Sequence, residues 1–157
     1  MTDITVGPVV GKDCKLYYNT GTRASPTWVE IKKARDVAAN AGKGEADVSN
    51  RESSWKKDMS ALKTLEVNFG YTHKRGTDTV FAALLAQYLN DTNVEFAVMD
   101  GDITYIGAKG WRAFYQCFTL NQTQELENGS VWEVGIKPTW HEESSTIAEP
   151  LWLVVSA

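Results

Sequence analysis

The sequence predicts a mainly β domain carrying one helix. Three observations predict it. Aromatic residues are abundant, with six Trp, six Tyr and five Phe in 157 residues, and aromatics favour strands. Several short runs alternate apolar and polar positions and end at Gly, Asn or Asp. Only one stretch, Val80 to Leu89, repeats its apolar residues at three- and four-residue spacing. The length is that of one domain, and neither an internal repeat nor an inter-domain linker is visible.

Residues 1–14 read as an N-terminal arm, because Gly7, Pro8 and Gly11 break any regular element. Lys15-Leu16-Tyr17-Tyr18 is a strand stopped by Asn19-Thr20-Gly21, and Thr27 to Ile31 is the next. Arg35-Asp36-Val37 continues or follows it. From Ala38 to Ser60 the residues are small or charged, with Val48, Trp55 and Met59 as the large apolar exceptions. A structureless gap of that length inside a compact domain is unusual and points to function or disorder. The pattern resumes at Leu65, Val67, Phe69 and Tyr71, all on one face of a strand, with Glu66, Asn68 and Gly70 on the other.

Thr77 or Asp78 then caps a helix to about Leu89, whose core stripe is Val80, Phe81, Leu84, Leu85 and Tyr88. Val94, Phe96 and Val98 make a strand ending in an Asp100-Gly101 hairpin turn. Gly107 and Gly110 mark a break before a long strand from Trp111 to Leu120. Asn128-Gly129 is a second hairpin turn, and Val131 to Pro138 is the last clear strand. Residues 139–157 form a polar, acidic C-terminal extension until Leu151-Trp152-Leu153-Val154-Val155.

Charge excludes some functions. The formal net charge is −4, which argues against a protein that grips nucleic acid by neutralising phosphates. From Asn121 onward six Glu stand against one Lys, a net of −5. Cys14 and Cys117 form no CxxC pair and read as two reduced thiols. No signal peptide opens the chain, no run approaches the length of a membrane span, and synthesis in the cytoplasm is expected. The N-x-S/T triplets at Asn90, Asn121 and Asn128 are then chance or turns.

Chemistry-bearing patterns are absent or weak. His73 and His141, the only histidines, sit among charged neighbours and read as solvent-facing imidazoles. There is no HExxH, no paired metal spacing and no G-x-S-x-G elbow. Gly7 to Asp13 is too short for a phosphate loop and has Asp where Ser or Thr should bind magnesium. Asp100 and Asp102 belong to no calcium loop. Trp55-Lys56-Lys57 is a weak nucleic-acid patch between Glu52 and Asp58, and Phe114, Tyr115 and Phe118 read as core in a long strand. The expectation is no enzyme: no catalytic residue, no cofactor and no metal.

The order of segments is more specific. Lys15-Leu16-Tyr17-Tyr18-Asn19 and Thr27 to Ile31 are followed by Arg35-Asp36-Val37, Gly44-Glu45-Ala46-Asp47-Val48-Ser49-Asn50-Arg51 and Trp55. After the helix come Phe96 to Gly101, Gly110-Trp111-Arg112-Ala113 and Gly135-Ile136-Lys137-Pro138. Over about residues 15–138 this resembles the tail tube, or major tail, proteins of tailed phages, related to the tube proteins of contractile injection systems. The arm and the extension after Pro138 match nothing specific.

The resemblance implies two packed antiparallel sheets in a barrel-like sandwich, flanked by one helix. It implies hexameric rings stacked head to tail into a virion tail tube, with residues 38–62 as a long loop reaching the adjoining ring. Glu45, Asp47, Val48, Arg51, Trp55, Lys56, Lys57 and Met59 are its expected contacts. Carboxylates on the lumen wall would repel DNA and let it slide without specific binding; Glu66, Asn68, Glu95 and Glu133 are the expected lumen residues. Partners would be further copies of the chain, a tape measure protein and tail-end proteins. A tube subunit of a contractile phage, bacteriocin or secretion system is the alternative. A monomeric carbohydrate-binding β domain using Trp28, Trp55 and Trp111 is a more remote one.

Overall fold

The computed structural model describes residues 6–124, 126, 130–143 and 145–157. After a short 3-10 turn at Gly11–Asp13, the elements in chain order are β1 (Lys15–Asn19), β2 (Trp28–Glu30), β3 (Ala34–Asp47), β4 (Asp58–Tyr71) and α1 (Thr79–Asn90). They continue with β5 (Val94–Met99), β6 (Lys109–Thr123), β7 (Val131–Pro138), β8 (Glu142–Glu143), β9 (Thr146–Ile147) and β10 (Leu151–Val154).

Eight strands form one antiparallel sheet in the order β2-β1-β5-β6-β7-β4-β3, with β10 added beside β6; β8 and β9 form a separate ribbon. The long β6 is the hub. Its first half pairs with β5 on one side and β10 on the other, and its second half pairs with β7. Among the described residues the sheet does not close into a barrel, since β2 and β3 end its path. The expected mainly β, barrel-like fold with one flanking helix is therefore present, built by one curled sheet rather than by two separate large ones.

Alternation along the strands creates the curl. Leu16, Leu65, Val67, Phe69, Tyr71, Phe96, Ala113, Tyr115, Val134 and Ile136 come from strands across the sheet yet meet in one buried cluster. Residues on one face can do so only if the sheet bends around them. The opposite parity makes a second cluster of Tyr17, Ala97, Met99 and Ala108, covered by Trp28, Ile103, Leu153 and Val155. The C-terminal extension thus joins the sheet and packs on its back. Gly107, at φ +91°, donates its N–H to the Val155 carbonyl, and Val155 donates to Ala108.

The helix plugs the open side of the main cluster with Val80, Phe81 and Leu84. Asp78 is the N-cap, its carboxylate accepting from the Phe81 N–H. The expected core stripe needs a correction. Leu85 is half-buried and Tyr88 is exposed, while Gln87 is buried in their place. Its amide reaches the Tyr115 carbonyl at 2.9 Å, so the face that packs runs 80, 84, 87 rather than toward 88.

Two turns also differ from expectation. Asp100-Gly101 opens a nine-residue connection, residues 100–108, rather than a tight hairpin. The Ile103 N–H donates to the Tyr17 hydroxyl, holding that connection against the back of the sheet. Gly110 lies inside β6 instead of breaking before it, because a Cβ there would collide with the Val98 carbonyl across the ladder. The Asn128-Gly129 turn lies outside the described residues, as do residues 1–5 of the arm.

The largest correction concerns the long gap. It is a β-hairpin, in which β3 and β4 pair from Ala34↔Tyr71 out to Asp47↔Asp58. Bulges at Arg35/Ala38 and Lys43/Glu45 interrupt the ladder, the first with Asp36 at φ +52°. β7 supports β4 only from Val67 to Tyr71. Beyond that the hairpin is a two-stranded ribbon, and residues 40–64 are exposed apart from the half-buried Ser53. With no face buried, the segment carries no apolar alternation, and the sequence hides its strands.

Candidate assembly surfaces

The ribbon ends in a tip that is shaped by its own hydrogen bonds. Val48 donates to the Lys57 carbonyl, and the Ser49 hydroxyl accepts from the Lys57 N–H at 2.8 Å. Asp47 accepts from the Ser49 N–H, Asn50 from the Glu52 N–H, and the Ser53 hydroxyl from the Trp55 N–H. Such Asx- and Ser-turns fix a loop without a core. Hydrogen bonds from the Ser49 side chain and backbone hold the Asp47 carboxyl below its ordinary value.

All eight residues expected as inter-ring contacts lie on this projecting unit and are exposed: Glu45, Asp47, Val48, Arg51, Trp55, Lys56, Lys57 and Met59. Trp55 is 78% exposed and Leu62 85% exposed. Leu62 escaped the sequence reading, although its even position is out of phase with the core run Leu65, Val67, Phe69 and Tyr71. An isolated ribbon is marginal in water, and exposed Trp, Met and Leu on one are what a binding segment presents.

A second surface is the non-core face of β4, β7 and the far half of β6. Asn68 stands opposite Gly135, Gly70 opposite Glu133, and Gly135 opposite Thr119. Together with Arg35 they line a concavity of about 810 Å³. Asn68, Thr119, Thr123 and Glu133 put polar groups on this floor beside Gly70 and Gly135. Asn68 donates to Glu66 at 3.1 Å. Three of the four expected lumen residues, Glu66, Asn68 and Glu133, thus share one face.

The fourth does not. Glu95 is 3% exposed and accepts from Arg112 Nε and Nη2, both at 2.9 Å, and from Asn19 at 2.9 Å. Arg112 also donates to the Arg23 carbonyl and lies over the Trp28 ring at 5.3 Å. A buried carboxylate with three donors is a brace between the 20–27 loop and the sheet, not a lumen charge. Its alternation with Phe96 and Val94 was legible, but the matching Arg112 on the neighbouring strand was not.

His73 is exposed as expected, while His141 is half-buried. His73 lies against Phe81 at 4.2 Å, beside Asp78, and His141 stacks on Phe114 at 3.8 Å with Asn93 and Glu143 on its nitrogens. Cys14 and Cys117 are both free thiols, raised by burial. Among the described residues no group of three or more His, Cys, Asp or Glu is placed to hold a metal ion. Among the described residues no helix is long and apolar enough to cross a membrane.

No family model matches the sequence, and no curated protein matches it either. Solved structures do match. The chain is similar to the tail tube of SPP1, with a TM-score of 0.71 at 12% identity over 96% of this chain and 81% of that one. It is similar to the tail of an empty GTA particle, refined with C6 symmetry, with a TM-score of 0.65 at 16% identity over 83% of this chain and 93% of that one. It also resembles a chain of the sheath–tube complex of an extracellular contractile injection system, at a TM-score of 0.53 and 8% identity over 94% and 93% of the two chains. This chain therefore has the fold of tail tube proteins.

Proposed function

We propose that the chain is a structural subunit of a phage tail tube, assembling as hexameric rings stacked head to tail into the conduit for genome delivery. The observation that carries this reading is the bare β3–β4 ribbon, which projects Trp55, Met59 and Leu62 from a tail-tube fold that leaves them without a partner. In a stack, the ribbon of each ring lies on the next. In the plane of a ring, the unpaired outer edge of β3 is covered by a neighbour, which removes an aggregation-prone edge. Both contacts are heterologous, so rotation closes a ring and translation builds a tube.

The concavity lined by Asn68 and Glu133, with Glu66 beside Asn68 on the same face of β4, forms the lumen wall in this reading. Its polar, partly acidic surface leaves DNA free to slide, since neutralising cations are what hold phosphates. A tape measure protein and tail-end proteins are the further partners, and the virion tail is the location. The test is imaging of the concentrated, purified protein by electron microscopy: tubes with a central channel are expected, and a protein that stays monomeric under all conditions opposes the reading.

A tube subunit of a contractile system is the second reading, favoured by the similarity to the sheath–tube complex. Genes for a sheath and baseplate beside this one would support it, and their absence would leave the non-contractile tail.

A further inference from the structure

The strand β10 has one free edge. Its register with β6 sets Leu151 opposite Arg112 and Leu153 opposite Gly110. The Asp100 N–H donates to the Lys109 carbonyl, so Lys109 turns its backbone toward β5, and the Val155 N–H donates to the Ala108 carbonyl. Backbone groups alternate in direction along an antiparallel strand. Leu151 and Leu153 therefore bond to β6. The N–H and C=O groups of Trp152 and Val154 point the other way, where no strand pairs with β10 among the described residues. The side chains of Trp152 and Val154 are 53% and 49% exposed.

Exposed edges are ordinarily guarded by charged side chains or bulges. The outer edges of β2 and β3 follow that rule, with Glu30 on the first and Arg35, Asp36, Lys43, Glu45 and Asp47 on the bulged second. β10 does not. Pro150 to Ala157 carry no charged side chain, and the β10 ladder has no bulge.

The segment that fits this edge lies in the N-terminal arm. Val6-Gly7-Pro8-Val9-Val10 is uncharged, exposed throughout, and part of no strand or helix. With Gly7 opposite Val154 and Val9 opposite Trp152, the outward backbone groups of β10 find their partners. Pro8, which lacks an N–H, then falls where the backbone faces away from β10, the side on which an edge strand tolerates proline. The same register sets Val9 beside Trp152 and Val10 beside Leu151, apolar against apolar. The arm cannot do this on its own molecule. Lys15, Met99, Gly110 and Leu153 stand in one row across the sheet, so a strand outside β10 lies four strand spacings from β1, about 19 Å. The stretch from Val10 to Lys15 covers about 17 Å when fully extended. The 3-10 turn closed by the Asp13 N–H on the Val10 carbonyl takes up part of that reach.

We infer that residues 6–10 of one copy add as an antiparallel strand to the β10 edge of another. The inference rests on the tube reading and gives it a copy-to-copy contact made by backbone, separate from the ribbon. Arm and edge are different patches of one surface, so the contact is heterologous and continues from copy to copy. Main-chain hydrogen bonds supply the affinity, and the alternate side chains supply the register.

The test uses the full chain carrying Cys14→Ser, so that the exposed native thiol is removed. Val10 and Leu151 would form a facing pair without hydrogen bonds, where side chains come closest. Protein with Val10→Cys is mixed with protein carrying Leu151→Cys under assembly conditions, then oxidised and run on a non-reducing gel. A covalent dimer that forms only in the mixture is expected. In parallel, Val9→Pro, which deletes an N–H aimed at Trp152, should raise the critical concentration for tube formation about tenfold. Val10→Pro, which deletes an N–H facing away, should leave it unchanged. Circular dichroism of each variant reports whether the subunit is folded. Tubes that form without the cross-link, or that respond equally to the two prolines, overturn the docked arm and leave the tube reading standing. A chain carrying both cysteines that closes the bond within itself in dilute solution assigns the arm to its own β10 and overturns it as well. Native protein that forms no tube at all overturns both.

Discussion

Arg112 grips Glu95 through two hydrogen bonds of 2.9 Å in a position where the carboxylate is 3% exposed. The pair joins β5 to β6 and, through the Arg23 carbonyl and the Trp28 ring, pins the 20–27 loop on the back of the sheet. Removing one partner strands a charge with little water. Glu95→Ala and Arg112→Ala should each lose about 3–5 kcal/mol of stability, measured by urea unfolding. Glu95→Gln/Arg112→Met should lose clearly less than the sum of the two single changes.

Asp78 sets the stability at low pH. Burial alone would raise its carboxyl, but hydrogen bonds from Lys33, Tyr71 and the Phe81 and Lys74 N–H groups together outweigh that and hold it well below the carboxylate range. A depressed folded value stabilises the protein above the unfolded value near 4 and is lost as pH falls through the window beneath it. Thermal melts should therefore drop steeply below about pH 4, and Asp78→Asn should flatten that drop while lowering the melting temperature at pH 7. The N-cap change itself costs about 1 kcal/mol.

Exposed ribbon residues should separate folding from assembly. Trp55→Ala and Leu62→Asp touch no core, so monomer stability should stay within about 0.5 kcal/mol of native. Tube yield should collapse, because buried aromatic and aliphatic anchors carry most interface energy. Analytical ultracentrifugation beside a melting curve checks both halves of this expectation.

The concave face should tolerate charge change for folding but not for DNA passage. Glu66→Lys/Glu133→Lys places cations where a polar wall now stands. Tubes should still form, and they should retain double-stranded DNA in a salt-dependent way that native tubes do not. A filter-binding titration at two salt concentrations measures it.

Much of the fold was legible because burial writes a period into the sequence. β1, β2, β5, β7 and α1 stand where alternation and caps predict them, and Asp78 is the cap. The hairpin was legible only as a gap. Residues 40–64, apart from Ser53, are exposed on both faces, so propensity and alternation had nothing to record, while the pairing is set by backbone hydrogen bonds that any residue can make. Gln87 was missed because its amide finds a carbonyl across the core, a long-range match that a helical stripe does not reveal. Glu95 was misplaced for the same reason: its partner is seventeen residues away on the next strand.

The central claim is that the β3–β4 ribbon is exposed in the single chain because its partner is another copy. Hydrogen–deuterium exchange on residues 40–66 in the monomer and in the assembled tube measures this directly. Fast exchange in the monomer that becomes strongly protected in the tube is the predicted result. A ribbon equally protected in both, or equally open in both, contradicts it.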